Sequence, residues 1–214
     1  MVFVVDWNSR RLFEDALEQM HQTRRAVFVD RLGWPLQVDG AGREIDEFDT
    51  PEAEYLLDIE PESGRLLGSL RLLRTDRPHL LSEHFTDLCE AEIPRGRAIR
   101  EISRLVTAPD APRERRMRIQ HRLAGALLEY GLELGLSAYT LVTHTTWMPT
   151  LLCVGWSCRP LGLPQPRDGQ LIGALMIEVT REGLAAQRSF GGRYPALSLR
   201  PTPTPIDATR EDAL

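Results

Sequence analysis

The stretch AIREISRLVTAPDAPRERRMRIQHRLAGALLEYGLELGLSAYTLVTHTT (98–146) decides the fold. Its two ends, AIREISRLV (98–106) and AYTLVTHTT (138–146), are β-branched and apolar and read as strands. Pro109 and Pro112 close the first. Between them, from about Pro112 to Leu134, Met117, Leu123, Leu127, Leu128 and Leu134 recur near one helical stripe. A helix joining two strands of one sheet makes those strands parallel. Outward from this unit, YLLDIE (55–60) and RLLGSLRLL (65–73) read as strands, joined through a Glu-Ser-Gly turn into a hairpin. WMPTLLCVG (147–155) reads as a short helix, LIGALMIEV (171–179) as a last strand, and Thr180 as the cap of a terminal helix. Ser9 caps an N-terminal helix in which Phe13, Ala16, Leu17, Met20, Val27 and Phe28 recur. The pattern predicts an α/β fold with a mixed sheet covered by helices. Residues 1–190 form one domain, and 191–214 a Pro-rich, poorly ordered tail.

Composition limits the function. All 26 basic residues are arginine, and the formal net charge of −5 with no basic helix-turn-helix argues against a nucleic-acid binder. Cys89, Cys153 and Cys158 have no metal spacing and no even disulfide set, so they read as reduced thiols of a cytoplasmic protein, with no metal. Leu134 to Cys158 carries no charge, but its threonines and His144 argue against a membrane span.

Arg24-x3-Phe28-x5-Trp34, Asp46-x2-Asp49, Arg71 and Glu101-x2-Arg104 place charges beside apolar segments, where an unpaired charge is costly. Their convergence predicts a pocket for a ligand carrying both signs of charge. Taken in this order with RRAVFVDRLGW (24–34), REIDEFDT (43–50), GSLRLLRT (68–75), PHLLSEHF (78–85) and IREISRLV (99–106), the series resembles the acyl-homoserine lactone synthases, the Lux-type autoinducer synthases. The similarity runs from about Arg24 to about Leu175.

The resemblance implies the αβα fold shared with the general N-acetyltransferases. There two central strands, here AIREISRLV and AYTLVTHTT, splay into a V-shaped cleft that admits an acyl-pantetheine arm. It implies that S-adenosylmethionine gives its amino group to an acyl thioester, carried by acyl carrier protein or coenzyme A. Its carboxylate then displaces methylthioadenosine and closes the lactone. S-adenosylmethionine is a substrate, and no cofactor is called for.

Arg24 and Arg104 suit the substrate carboxylate, since a guanidinium fork binds two oxygens. Asp46, Asp49, Phe28 and Trp34 suit the cationic and adenosyl parts. Arg71 holds the aspartates. Glu101 is the candidate general base, the alternative being a purely positioning role.

Ser103 and Thr143 either bind an acyl carbonyl or bond within the sheet. Trp147, Met148, Leu151, Leu152 and Trp156 line an acyl pocket or pack the core. Arg113, Arg115, Arg116, Arg118 and Arg122 oppose the dipole of the long helix, so they are a solvated face or the dock of an acidic carrier or of coenzyme A phosphates. Two departures stand out: Arg74 occupies the family's usual proline position, and Leu105 follows Ser-Arg where an aromatic is common. Chain length and branching of the acyl group are therefore open. The rivals are an N-acyltransferase for another amine and a non-catalytic sensor of S-adenosylmethionine or acyl groups.

Overall fold

The computed structural model describes residues 1–152 and 155–190 and the backbone of 199–200. Cys153 and most of the expected Pro-rich tail lie outside the described residues. In chain order the elements are β1 (Val2–Val5), α1 (Glu14–Arg24), β2 (Glu54–Ile59), β3 (Leu66–Arg74), α2 (Leu80–His84), β4 (Ile99–Thr107), α3 (Arg113–Glu133), β5 (Ala138–His144), α4 (Met148–Leu152), β6 (Cys158–Pro160), β7 (Gln165–Arg167), β8 (Gln170–Glu178), α5 (Arg181–Phe190) and β9 (Leu199–Arg200). They fall into two compact units. One holds Met1–Arg71, Arg104–Leu123 and β9, and the other holds Leu72–Ser103 and Ala124–Ala196. The units exchange inside β3, β4 and α3 rather than at a linker.

In the first unit β1 runs antiparallel to β2 and parallel to β9. The β2–β3 hairpin closes where the Glu60 N–H donates to Arg65 C=O at 2.9 Å. Gly68 of β3 faces α3 so closely that a Cβ there would meet Ile119 Cγ2 at 2.6 Å. A larger residue would push the helix off the sheet.

The helix expected from Ser9 is made of three pieces. A 3₁₀ turn (Arg10–Phe13) leads into α1, and a π turn (Arg25–Arg31) follows it. Ser9 is not the expected cap: its hydroxyl donates to Asp6 Oδ1 at 2.7 Å and makes no capping bond.

In the second unit β5 is the axis. It runs parallel to β4 over Ile99–Ile102 against Ala138–Leu141 and antiparallel to β8 along its whole length. Among the described residues the β4–β5 pairing ends at Leu141, while β5 runs on to His144 against β8. β6 and β7 both pair with β8. Thr180 caps α5 as expected, its Oγ accepting from Gly183 N–H at 2.9 Å.

The apolar stripe of α3 is narrower than its spacing suggested. Leu123, Leu127 and Leu128 are buried, whereas Met117 and Leu134 are 47% and 45% exposed. Among the described residues no helix is long and apolar enough to cross a membrane.

Candidate active site

The first unit carries a closed ring of charges built by four elements. Arg24, the last residue of α1, donates through Nε to Glu44 Oε2 and through Nη1 and Nη2 to both oxygens of Asp49 at 2.8 Å. Arg71 of β3 donates to Asp46 at 2.5 and 3.0 Å and lies 2.9 Å from Asp49 Oδ1. Arg104 of β4 donates to Glu44 Oε1 at 3.0 Å and lies 2.6 Å from Asp46 Oδ2. Read around, the order is Arg24, Glu44, Arg104, Asp46, Arg71, Asp49 and back to Arg24. Each guanidinium touches two carboxylates, each carboxylate touches two guanidinium groups, and the formal charge cancels.

Local sequence sets each corner. Asp39 Oδ1 accepts from the N–H groups of Ala41 and Arg43, which tightens the loop that delivers Glu44. His21 Nδ1 lies 3.0 Å from Glu44 C=O and ties that loop to α1. Asp46 Oδ1 accepts from Phe48 N–H, and Asp49 Oδ2 from Asp46 N–H, so the two aspartates hold their own turn. Tyr55 donates its hydroxyl to Asp49 Oδ1 at 2.7 Å. Arg104 adopts φ 53°, a left-handed conformation that bends a strand and re-aims a side chain.

Burial alone would raise the carboxyls of Asp46 and Asp49. Hydrogen bonds from Arg71 and Arg24 outweigh it and hold both below the usual carboxylate range. Burial also pushes the Tyr55 phenol up, helped by the charge of Asp49.

Beside the ring Phe28 and Trp34 stack, with centroids 4.9 Å apart and planes 11° from parallel. Gly33 makes the stack possible. Its φ of 69° ends the π turn, so that Trp34 N–H returns to Phe28 C=O at 2.9 Å and the indole folds back over the ring. The Arg104 guanidinium sits 5.6 Å from the Phe28 centroid. Arg24 and Arg71 side chains are wholly buried, whereas Arg104 is 8% and Asp46 12% exposed, so the ring meets solvent along its Arg104–Asp46 edge.

The second unit holds Glu101, fully buried, with Leu81 N–H donating to its Oε1 at 2.8 Å. Its partner in the parallel ladder is Thr140, so both side chains leave the same face of the sheet. The Thr140 Oγ is buried and has no hydrogen-bond partner among the described residues. Ser103 shares the Glu101 face by its period of two, and the same register turns Thr143 to the other face.

Met148 packs its sulfur against Gly173, 3.2 Å from where a Cβ would stand, while Trp147 is 46% exposed. Trp156 is buried and donates Nε1–H to Leu151 C=O at 2.6 Å, and Leu152 is 41% exposed.

The α3 arginines find acids within the chain. Arg115 pairs with Glu60 at 2.7 Å, Arg122 with Asp58 at 2.6 Å, and Arg118 with Glu114 at 3.4 Å. Arg115, Arg118 and Arg122 line a cavity of about 380 Å³ with Met1, Pro61 and Leu67. Arg113 is exposed and Arg116 half-buried.

Sequence reasoning missed Glu44 and Thr140. The acid-x-acid-x2-acid spacing of Glu44, Asp46 and Asp49 was the available signal for the first.

Residues 8–186 match the family described as autoinducer synthase. The chain is 30% identical over 185 residues to the isovaleryl-homoserine lactone synthase of Bradyrhizobium diazoefficiens, covering 86% of this chain and 82% of that one. It superposes with a TM-score of 0.85 and 28% identity on a CoA-dependent acyl-homoserine lactone synthase, BjaI, solved with SAM and isopentyl-CoA, covering 99% and 97% of the two chains. An acyl-CoA N-acyltransferase from Pseudomonas aeruginosa, 19% identical with a TM-score of 0.54 and covering 84% of this chain and 99% of that one, shares the fold alone.

Proposed function

As the chain belongs to the autoinducer synthase family, we propose that its ring of charges seats S-adenosylmethionine for the acyl-homoserine-lactone synthase reaction that it performs. In that reaction the substrate amine attacks the thioester carbonyl and the thiol leaves. The substrate carboxylate then attacks its own γ-carbon, the C–S bond breaks, and methylthioadenosine departs.

The ring is the observation that carries the reading. A partly exposed Arg104–Asp46 edge offers one charge of each sign to the zwitterionic end of the substrate. Arg104 takes the carboxylate, Asp46 faces the cationic groups, and Phe28 and Trp34 border the adenosyl portion. Arg24, whose three nitrogens all turn to Glu44 and Asp49, supports that edge from beneath together with Arg71, Glu44 and Asp49.

Glu101 accepts the proton that the ammonium must lose before it attacks. Burial supports this role, because a carboxylate removed from water gains proton affinity. Thr140, whose hydroxyl lies on the same face, binds the acyl carbonyl or a water beside Glu101, and Ser103 joins it from β4. Thr143, Trp147 and Met148 contribute to the acyl wall.

Among the described residues burial pushes the Cys158 thiol up to about 11 and raises Cys89, so neither of these two is a ready thiolate, which supports direct transfer to the amine. The donor is acyl-CoA, as in the CoA-dependent relative, and Arg113 and Arg116 are the α3 residues left to meet its phosphates. The reaction belongs in the cytoplasm, where thiols stay reduced, and needs no cofactor.

Mass spectrometry of the full chain with S-adenosylmethionine and a panel of acyl-CoA and acyl-carrier thioesters tests this. An acyl-homoserine lactone together with methylthioadenosine is the expected result, formed faster from acyl-CoA. Acylation of another amine without methylthioadenosine would overturn it. Faster product from the carrier thioesters would overturn the donor assignment alone.

A further inference from the structure

Helix α2 has 5 residues, too short to hold itself in water. Its first turn is fixed by His79. The backbone N–H of His79 donates to Ser82 Oγ at 3.1 Å, and its C=O accepts from Glu83 N–H at 3.0 Å. The His79 ring is wholly buried, with Nδ1 2.8 Å from Arg77 C=O. A carbonyl only accepts, so Nδ1 carries the proton, and the neutral ring keeps its lone pair on Nε2. Burial favours that neutral form and, with the charge of Arg95, outweighs the hydrogen bond to Arg77 C=O and the charge of Glu83, which oppose it. The outcome of this packing is the direction of one backbone N–H, that of Leu81, which reaches Glu101 Oε1 at 2.8 Å.

We propose that His79 is a positioning residue for acyl transfer: it locks the first turn of α2 so that Leu81 N–H grips one oxygen of Glu101 and fixes the orientation of the carboxylate. The inference rests on the reading of Glu101 as the proton acceptor. A carboxylate free to rotate about its last bond loses the preorganisation that proton transfer needs. His79 itself touches no substrate in this scheme.

The test measures turnover of the full chain with S-adenosylmethionine and the acyl-CoA that gives product, alongside hydrogen exchange at the Leu81 amide. His79→Leu keeps the volume but has no N–H to give Arg77. It is expected to lower kcat about tenfold, leave KM for S-adenosylmethionine within about twofold, and speed Leu81 exchange. His79→Asn, a good N-cap residue whose amide can still donate to Arg77, should restore both readouts. Where His79→Leu does not fold, Ser82→Ala loosens the same turn from its other end and must give the same pair of changes.

Unchanged kcat overturns the proposal. So does a kcat loss with Leu81 exchange unaltered, because the effect would then bypass α2. Glu101→Gln separates the two readings. Full turnover in that variant removes the proton-acceptor role and this inference with it, while a loss there beside an unaffected His79→Leu removes only the role of His79.

Discussion

The charge ring of the first unit and the Glu101 face of the second bury ionisable groups in opposite ways. Around the ring each of the six groups contacts two of opposite sign, so the protein is its own counter-ion. On the Glu101 face a carboxylate gripped by a backbone N–H lies beside a threonine hydroxyl that has no partner among the described residues. The ring is satisfied by its own members, whereas the Glu101 face keeps a buried hydroxyl unmatched among the described residues, at a cost in stability.

Four experiments break or sharpen that contrast. The largest effect belongs to Arg24→Met. It leaves Glu44 and Asp49 buried without a shared partner and should cost about 3–5 kcal/mol in urea unfolding. An unchanged unfolding midpoint would show that the ring is not structural.

Glu101→Gln keeps an acceptor for Leu81 N–H, so its unfolding should barely change while kcat falls about 10²-fold. A variant that loses stability and rate together would erase the difference between the two regions.

Acid should separate them next. His21 and His79 sit below their ordinary 6.5 because burial disfavours the charged ring, with Arg24 adding to it at His21 and Arg95 at His79. Below pH 6.5 the unfolded chain therefore takes up those protons first, and stability begins to decline. Asp46 and Asp49 are depressed below 3.8, so their stabilisation is complete above that value and is lost as pH falls through the lower folded one. A stability–pH curve should show a plateau above 6.5, a shallow fall below it and a steep fall below 3.8. Arg24→Met should flatten the steep part.

The smallest structural effect is expected for Thr140→Val. Removing a buried hydroxyl that has no partner should leave stability unchanged or raise it by about 1 kcal/mol, while turnover falls. A loss of stability would reveal a bond that the fold itself needs.

Sequence showed what is local or periodic. The strand–helix–strand core, the hairpin and the one-turn spacing of Arg24 and Phe28 follow from period and turn chemistry, and they stand within two residues of where those signals put them. What depends on register was hidden. Sequence singled out Thr143 and passed over Thr140, and only the pairing of Thr140 with Glu101 shows which hydroxyl shares the carboxylate's face. Glu44 was one acid among several until Arg24 and Arg104 closed on it from 20 and 60 residues away. The arginine run of α3 looked like a docking surface, yet Asp58 and Glu60 of the β2 segment neutralise two of its members across 64 and 55 residues. Long-range ion pairs leave no mark in composition, because the same residues would look alike on any solvated helix.

The left-handed Arg104 within β4 has a consequence for how such a chain can diverge. Side chains along a strand alternate with a period of two, so inserting or deleting one residue between Glu101 and Arg104 would carry one of them to the opposite face. The length of that segment, more than the identity of Ile102 within it, holds the two side chains on their faces.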